Sequence, residues 1–301
     1  MIREIAGRQN HSVKLARKLQ KKKHRRERGL LVGEGMDLLL AAVAGGADVR
    51  EILVRRELLS ELPAGLREQA AASGHPAPAA TPAADDGLNI GVCDQETLDY
   101  ASSLGGSSDV IFIGAQPVRH LSELDLGSDL VLFLDSIGDP GNVGTLVRSA
   151  VAFGLGGVIC SPGTADPYSP KALRAGMGAQ FSLPVVTEVE AEDLEARIVA
   201  SARRGEEVPR VLVADPANGV DVRGVSGTGG LVVVLGSERT GPVAPWEHAE
   251  RVTIPQRRFD SLNVAMAGTV LAYELSRAKG TAGRAPAAAP GDGRAPGAGG
   301  K

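Results

Sequence analysis

The 301-residue sequence predicts an α/β protein built on a parallel sheet, and three observations carry that expectation. Short β-branched or Leu-rich runs recur through residues 129–279, at Leu130–Leu134, Gly157–Cys160, Val211–Ala214, Leu231–Leu235 and Arg251–Ile254. Helix-period segments fall between several of them. Val143, Leu146, Val147, Ala150 and Val151 follow the i, i+3, i+4, i+7, i+8 spacing of a buried helix face, and Asp193–Arg203 and Val264–Leu275 are also helix-like. Gly/Pro-rich turns follow the runs directly, as strand–loop–helix connections require. Alternation of this kind gives a parallel sheet covered on both faces.

Residues 1–120 form a smaller α/β unit. A basic segment opens it: KLARKLQKKKHRRER, residues 14–28, holds nine Lys/Arg against one acid, Glu27. The rest of the chain carries a net charge of −11, so cationic character is concentrated here. Such a run is a polyanion contact, a solvated helix face or a disordered arm. A helix-like stretch, Gly35–Val43, and a strand-like run, Glu51–Val54, follow. Residues 63–91 are rich in Ala, Pro and Gly and read as a flexible connection or a helix followed by a loop. Asp109–Gly114 closes the unit as a strand, and Gln116–Ser128 is the linker. Residues 129–280 then form the main domain. Residues 281–301 are a disordered tail, because 16 of the 21 are Ala, Gly or Pro.

Composition excludes several classes. The two cysteines, Cys93 and Cys160, support neither a disulfide framework nor a Cys₄ zinc site. No apolar run reaches the roughly 18 residues of a membrane span, and MIREIAGRQN has no apolar signal region. The expectation is a cytoplasmic protein. GDPGNVG, residues 138–144, departs from the dinucleotide GxGxxG, which argues against an oxidoreductase, and no GxxxxGK[ST] occurs. HExxH and CxxC are absent, so no metal is expected. The five histidines (His11, His24, His75, His120, His248) are scattered and point to no histidine base.

Three segments each follow a predicted strand: DSIGDPGNVGTLVRSAVAFG at 135–154, LGSERTGP at 235–242 and IPQRRFDSLNVAMAGTVLAYE at 254–274. Together and in this order they resemble the three motifs of the SpoU/TrmH family of RNA 2′-O-ribose methyltransferases. ADPYSPKALRAGMG at 165–178 matches the family's middle stretch, and the first 115 residues more loosely resemble the small RNA-binding domain that many members carry.

The resemblance implies functional residues position by position. Asn142 and Arg148 stand in the first motif, Glu238 in the second, Ser261 and Asn263 in the third. Departures lie beside them, with Ser237, Arg239 and Pro242 in the second motif and Gln256–Phe259 in the third, where they would tune cofactor fit or substrate choice. In this family a matching arginine helps the ribose hydroxyl lose its proton. Arg148 would do this as a base or, still charged, by stabilising the alkoxide. Asn142 can donate and accept, so it suits holding Arg148 or the ribose, and it also suits a helix cap. Ser261 and Asn263 precede a helix where caps are expected. Glu238 wants a cationic partner, for which Arg148 is the candidate.

The implied cofactor is S-adenosylmethionine, held at strand ends by Leu235, Gly236, Gly241 and Ile254, with Leu262 against adenine and Ala214 as a weaker contact. Lys21, Lys22, Lys23, Arg25 and Arg26 are the expected RNA contacts. The resemblance further implies a C-terminal trefoil knot and a homodimer sharing its active site. The expected substrate is 23S ribosomal RNA. The alternatives are a tRNA ribose methyltransferase and a catalytically silent RNA-binding protein on the same fold.

Overall fold

The computed structural model describes residues 1–72, 87–103, 108–227, 229–236, 245–246, 249–257 and 261–280. Among them, two sheets follow one another along the chain.

The N-terminal sheet has the order β1-β4-β3-β5-β2, from β1 (Ile2–Glu4), β2 (Leu30–Glu34), β3 (Val49–Arg55), β4 (Asn89–Cys93) and β5 (Val110–Ala115). β5 runs antiparallel to both neighbours; the other pairs are parallel. Alternation sends Leu31, Ile52, Val54 and Phe112 to one face, under α3 (Met36–Ala44) and α4 (Ala64–Ala72). Leu30, Val32, Leu53 and Ile113 go to the other, under α1 (His11–Leu19) and α5 (Gln95–Ala101).

The basic segment is folded. α1 and α2 (Lys22–Arg28) carry most of it, so of the three readings of this run the disordered arm is the one set aside. α1 forms because Val13, Leu15, Ala16 and Leu19 share a buried face and Asn10 caps it, accepting a hydrogen bond from Ser12 N. In this sheet β1 and β2 escaped the sequence reading, and β4 overlaps the span expected to be loose; in the second sheet the short strands at Val185–Thr187 and Val220–Asp221 escaped it too. The 281–301 segment lies outside the described residues.

The second sheet is parallel throughout, in the order β10-β12-β9-β11-β6-β7-β8. Its strands are β6 (Leu130–Leu134), β7 (Gly157–Cys160), β8 (Val185–Thr187), β9 (Arg210–Ala214), β10 (Val220–Asp221), β11 (Leu231–Leu235) and β12 (Glu250–Thr253). α6 (Pro140–Ala152), α7 (Pro170–Gly176) and α9 (Val264–Ala278) cover one face. α8 (Ala191–Arg203) covers the other, with Trp246 edge-on to Phe133 at 5.9 Å. The passage from β11 to β12 falls partly at 237–244 and 247–248, outside the described residues.

The two sheets share one apolar core, which runs from α3 through Phe181 to α6. The seam is tight: a Cβ on Gly45 would lie 2.6 Å from Phe181.

Candidate active site

In open α/β sheets, ligands bind outside the carboxyl ends of the strands. Here the three motifs meet at that edge. Asp135 N, after β6, donates to Leu235 O at the end of β11 over 2.9 Å, which joins the first motif to the second. The loop then turns through Ser136, whose φ of 57° is left-handed. Ser136 N donates to Ser161 Oγ at 2.9 Å, and Thr164 Oγ1 donates to Leu134 O at 2.7 Å, so the loop after β7 braces the turn.

Asp139 starts α6. Its Oδ1 accepts from Asn142 N at 3.0 Å, and Pro140 occupies the first turn, where its missing N–H costs nothing. Asp139, not Asn142, is therefore the cap, and the cap expectation for Asn142 is corrected. Lys171 Nζ donates to Asp139 Oδ2 at 2.8 Å. That bond, with the one from Asn142 N, holds the Asp139 carboxyl below its usual pKa.

The side chain of Asn142 is thereby free for another role. Its Oδ1 accepts from Asn263 Nδ2 at 3.2 Å. Asn263 caps α9, its Oδ1 accepting from Ala265 N and Met266 N at 2.9 and 3.3 Å. α6 and α9 pack closely below this junction: Ser149 Oγ and Thr269 Oγ1 are 2.7 Å apart, and a Cβ on Gly268 would lie 2.3 Å from Leu146 Cδ2. Arg148 stands exposed on α6, six residues beyond Asn142, and makes no ion pair among the described residues. Ser261 is exposed just before the Asn263 cap. Glu238 and Gly241 lie outside the described residues.

The remaining cofactor positions sit along the same edge. Leu235 is buried, Gly236 and Ile254 are half-buried, and Leu262, just before the Asn263 cap, presents an exposed apolar side chain. Gln256 Oε1 is buried with no partner among the described residues, an acceptor available to a nucleoside's N–H or O–H donors. Half-buried Ala214 ends β9 next to Asp215. Burial pushes the Asp215 carboxyl up, but the N–H groups of Ala217 and Asn218 and the Arg251 guanidinium pull it below its usual value. An apolar ledge, a half-buried glycine and an unsatisfied acceptor fit an adenosine group.

Away from this edge, Lys21, Lys22, Lys23 and Arg26 are exposed on and around α2. Lys22 and Arg26 reach Glu188 of the second sheet, and Lys23 pairs with Glu27 at 3.8 Å. Arg25 is different. It is 2% exposed and bridges to Asp166, so it is turned away from any polyanion and its assignment as an RNA contact is corrected.

Sequence reasoning missed Asp139 and the Ser161–Thr164 brace, and it named Gln256 only as a departure from the third motif. For Asp139 a signal existed, since Asp-Pro before an apolar period marks a helix start.

Comparison with known proteins agrees with this geometry. Residues 129–273 match the SpoU rRNA Methylase family, and residues 10–81 match the MRM3-like substrate binding domain. A 23S rRNA (guanosine(2553)-2′-O)-methyltransferase of Bacillus subtilis is 26% identical over 91% of this chain and 99% of its own length. A 23S rRNA (uridine(2479)-2′-O)-methyltransferase of Streptomyces viridochromogenes is 32% identical over 56% of this chain and 60% of its own length. The crystal structure of an AdoMet-bound rRNA methyltransferase from Sinorhizobium meliloti superposes with a TM-score of 0.75 at 27% identity, covering 92% of this chain and 98% of that one. With the three motifs gathered at one sheet edge and the first and third bonded through Asn142 and Asn263, residues 129–273 form a domain of the SpoU family of RNA methyltransferases.

Proposed function

We propose that this enzyme transfers a methyl group from S-adenosylmethionine to a ribose 2′-hydroxyl of large-subunit ribosomal RNA in the cytoplasm. The Asn142–Asn263 bond carries the reading, because it brings together in one contact two motifs that lie 121 residues apart in the sequence. The ribosomal assignment is supported by the relatives named for 23S rRNA. DNA is excluded as substrate because it has no 2′-hydroxyl.

S-adenosylmethionine supplies a methyl group already activated on a sulfonium, so the protein's task is alignment and charge. Gly236 and Ile254 would hold the cofactor through backbone, with Leu262 against the adenine and Gln256 Oε1 accepting from a donor of the nucleoside. Alignment of this kind contributes up to roughly 7–11 kcal/mol in ideal intramolecular cases. Asn142, fixed by Asn263, orients the ribose. Arg148 stabilises the negative charge that develops on the attacking oxygen. Glu238 is its proposed partner.

The active form is a homodimer in this proposal. Val151, Met266, Val270 and Tyr273 are exposed apolar side chains on the outer faces of α6 and α9, the surface that also carries Arg148. A second copy covering them would bury Arg148 beside the partner's chain and exclude water from its charge. The basic face of α1 and α2 would track the RNA backbone.

Mapping methylated riboses in ribosomal RNA from cells with and without the gene tests the reading. One 2′-O-methyl group that vanishes from large-subunit RNA is the expected result. Loss confined to tRNA, or no loss at all, overturns it.

A further inference from the structure

The buried arginine of the basic segment has a role of its own at the seam between the two sheets. Arg25 Nε and Nη2 both donate to Asp166 Oδ2, at 3.1 and 2.5 Å, and the Arg25 and Asp166 side chains are 2% and 10% exposed. Arg25 Nη1 also donates to Leu19 O and Gln20 O at 2.9 and 3.0 Å, the carbonyls that end α1. One planar guanidinium thus fastens the end of α1, through α2, to the second sheet.

Asp166 is equally well fixed on its own side. Its Oδ1 accepts from Tyr168 N at 2.9 Å, shaping the entry to α7, which Ser169 caps. From α7, Lys171 reaches Asp139, the cap of α6, and a Cβ on Gly144 of α6 would lie 2.3 Å from Ala172 O of α7. α7 is therefore a rigid spacer between Asp166 and the helix that carries Asn142 and Arg148. A surface ion pair would leave the seam free to slide; a desolvated pair in which all three guanidinium nitrogens are engaged does not.

Resting on the function proposed above, we infer that Arg25 and Asp166 are positioning residues, which fix the RNA-binding helices relative to Arg148 so that bound RNA arrives with its ribose in line. Neither touches RNA or cofactor. A misplacement of about 1 Å can lower a rate about 100-fold, so the pair governs turnover while leaving both binding surfaces intact.

The test compares Asp166→Asn, Arg25→Lys and the double variant Arg25→Met/Asp166→Leu with wild type. The double variant removes the directed bonds without stranding a buried charge. The readouts are S-adenosylhomocysteine affinity, the Kd and salt slope for an unmodified 23S rRNA transcript, and single-turnover methyl transfer at saturating RNA. Lys14→Cys and Glu195→Cys supply exposed labelling positions on α1 and α8 for an inter-domain distance distribution, since Cys93 and Cys160 are buried. We expect both affinities within about twofold of wild type, a distance distribution that broadens, and transfer lowered by about 10- to 100-fold. Wild-type transfer rates in all three variants overturn the inference. So does loss of folding in all three, because the pair is then only a stability element. If wild-type protein methylates no ribosomal transcript, the proposed function fails by itself, and an unchanged label distance in Asp166→Asn still refutes the positioning role.

Discussion

Asn263 donates from Nδ2 to Asn142 Oδ1 while its own Oδ1 caps α9, so one side chain both starts the last helix and ties it to the first motif. The two tasks separate chemically. Asp caps as well as Asn does but has no N–H to give. Asn263→Asp is expected to keep folding stability within about 0.5 kcal/mol of wild type and still lose at least about 10-fold in methyl transfer. Asn263→Ala is expected to lose the same activity and about 1 kcal/mol of stability as well. Equal activity of Asn263→Asp and wild type would show that the contact to Asn142 is idle.

Arg148→Ala is expected to bind S-adenosylhomocysteine like wild type and to turn over at least about 100-fold more slowly. Arg148→Lys keeps the charge but not the planar fork. Partial recovery in that variant is the signature of charge stabilisation, and none marks a role specific to the guanidinium. Full activity of Arg148→Ala would remove this residue from the site.

The exposed apolar surface gives an assembly prediction. Met266→Glu together with Tyr273→Glu places two carboxylates on residues that are 64% and 46% exposed in the single chain, so the fold itself is expected to tolerate them. Sedimentation is expected to show a dimer for wild type and a monomer for the variant, with methyl transfer lost. A variant that stays dimeric places the interface elsewhere.

Phosphate binding by the basic face is read from salt. Changing Lys21, Lys22, Lys23 and Arg26 to Ala is expected to flatten the log–log dependence of RNA affinity by roughly 0.7–0.9 for each phosphate no longer neutralised. Arg25→Ala should differ in kind, lowering stability because it strands Asp166 in the seam. Identical slopes for wild type and the four-site variant would leave α2 without a role in RNA binding.

Gly144 supplies a packing test. Its missing Cβ would sit 2.3 Å from a backbone oxygen, Ala172 O, which no rotamer change relieves. Gly144→Ala is expected to cost about 1–3 kcal/mol, seen as a lower denaturant midpoint at unchanged m. An unchanged midpoint would mean that α6 and α7 part without cost.

Some of this was legible in the sequence and some was not, for definite reasons. β6, β7 and β11 match their apolar runs residue for residue, because a strand buried on both faces is hydrophobic throughout. β4 was hidden by Asn89 and Gly91, and that glycine is closely packed: a Cβ would lie 2.2 Å from Ile5 Cδ1, so the Ile5 side chain would have to shift. In α1 the dense Lys/Arg content masked the spacing of Val13, Ala16 and Leu19. Arg25 could not be told from its neighbours, since a run of like residues does not show which one turns inward. Within the site, motif order identified the residues, but the bond between Asn142 and Asn263 spans a separation that no local pattern encodes.

Asn263 lies beyond every strand of the second sheet, whereas the basic helices lie near the start of the chain. During synthesis the surface proposed to meet RNA is therefore made long before the proposed catalytic edge can close. A chain cut short ahead of Asn263 would display that surface with no assembled site behind it, a decoy for the substrate and not a weak enzyme. Activity thus reports that synthesis has passed Asn263, and a single amide contact serves as the signal.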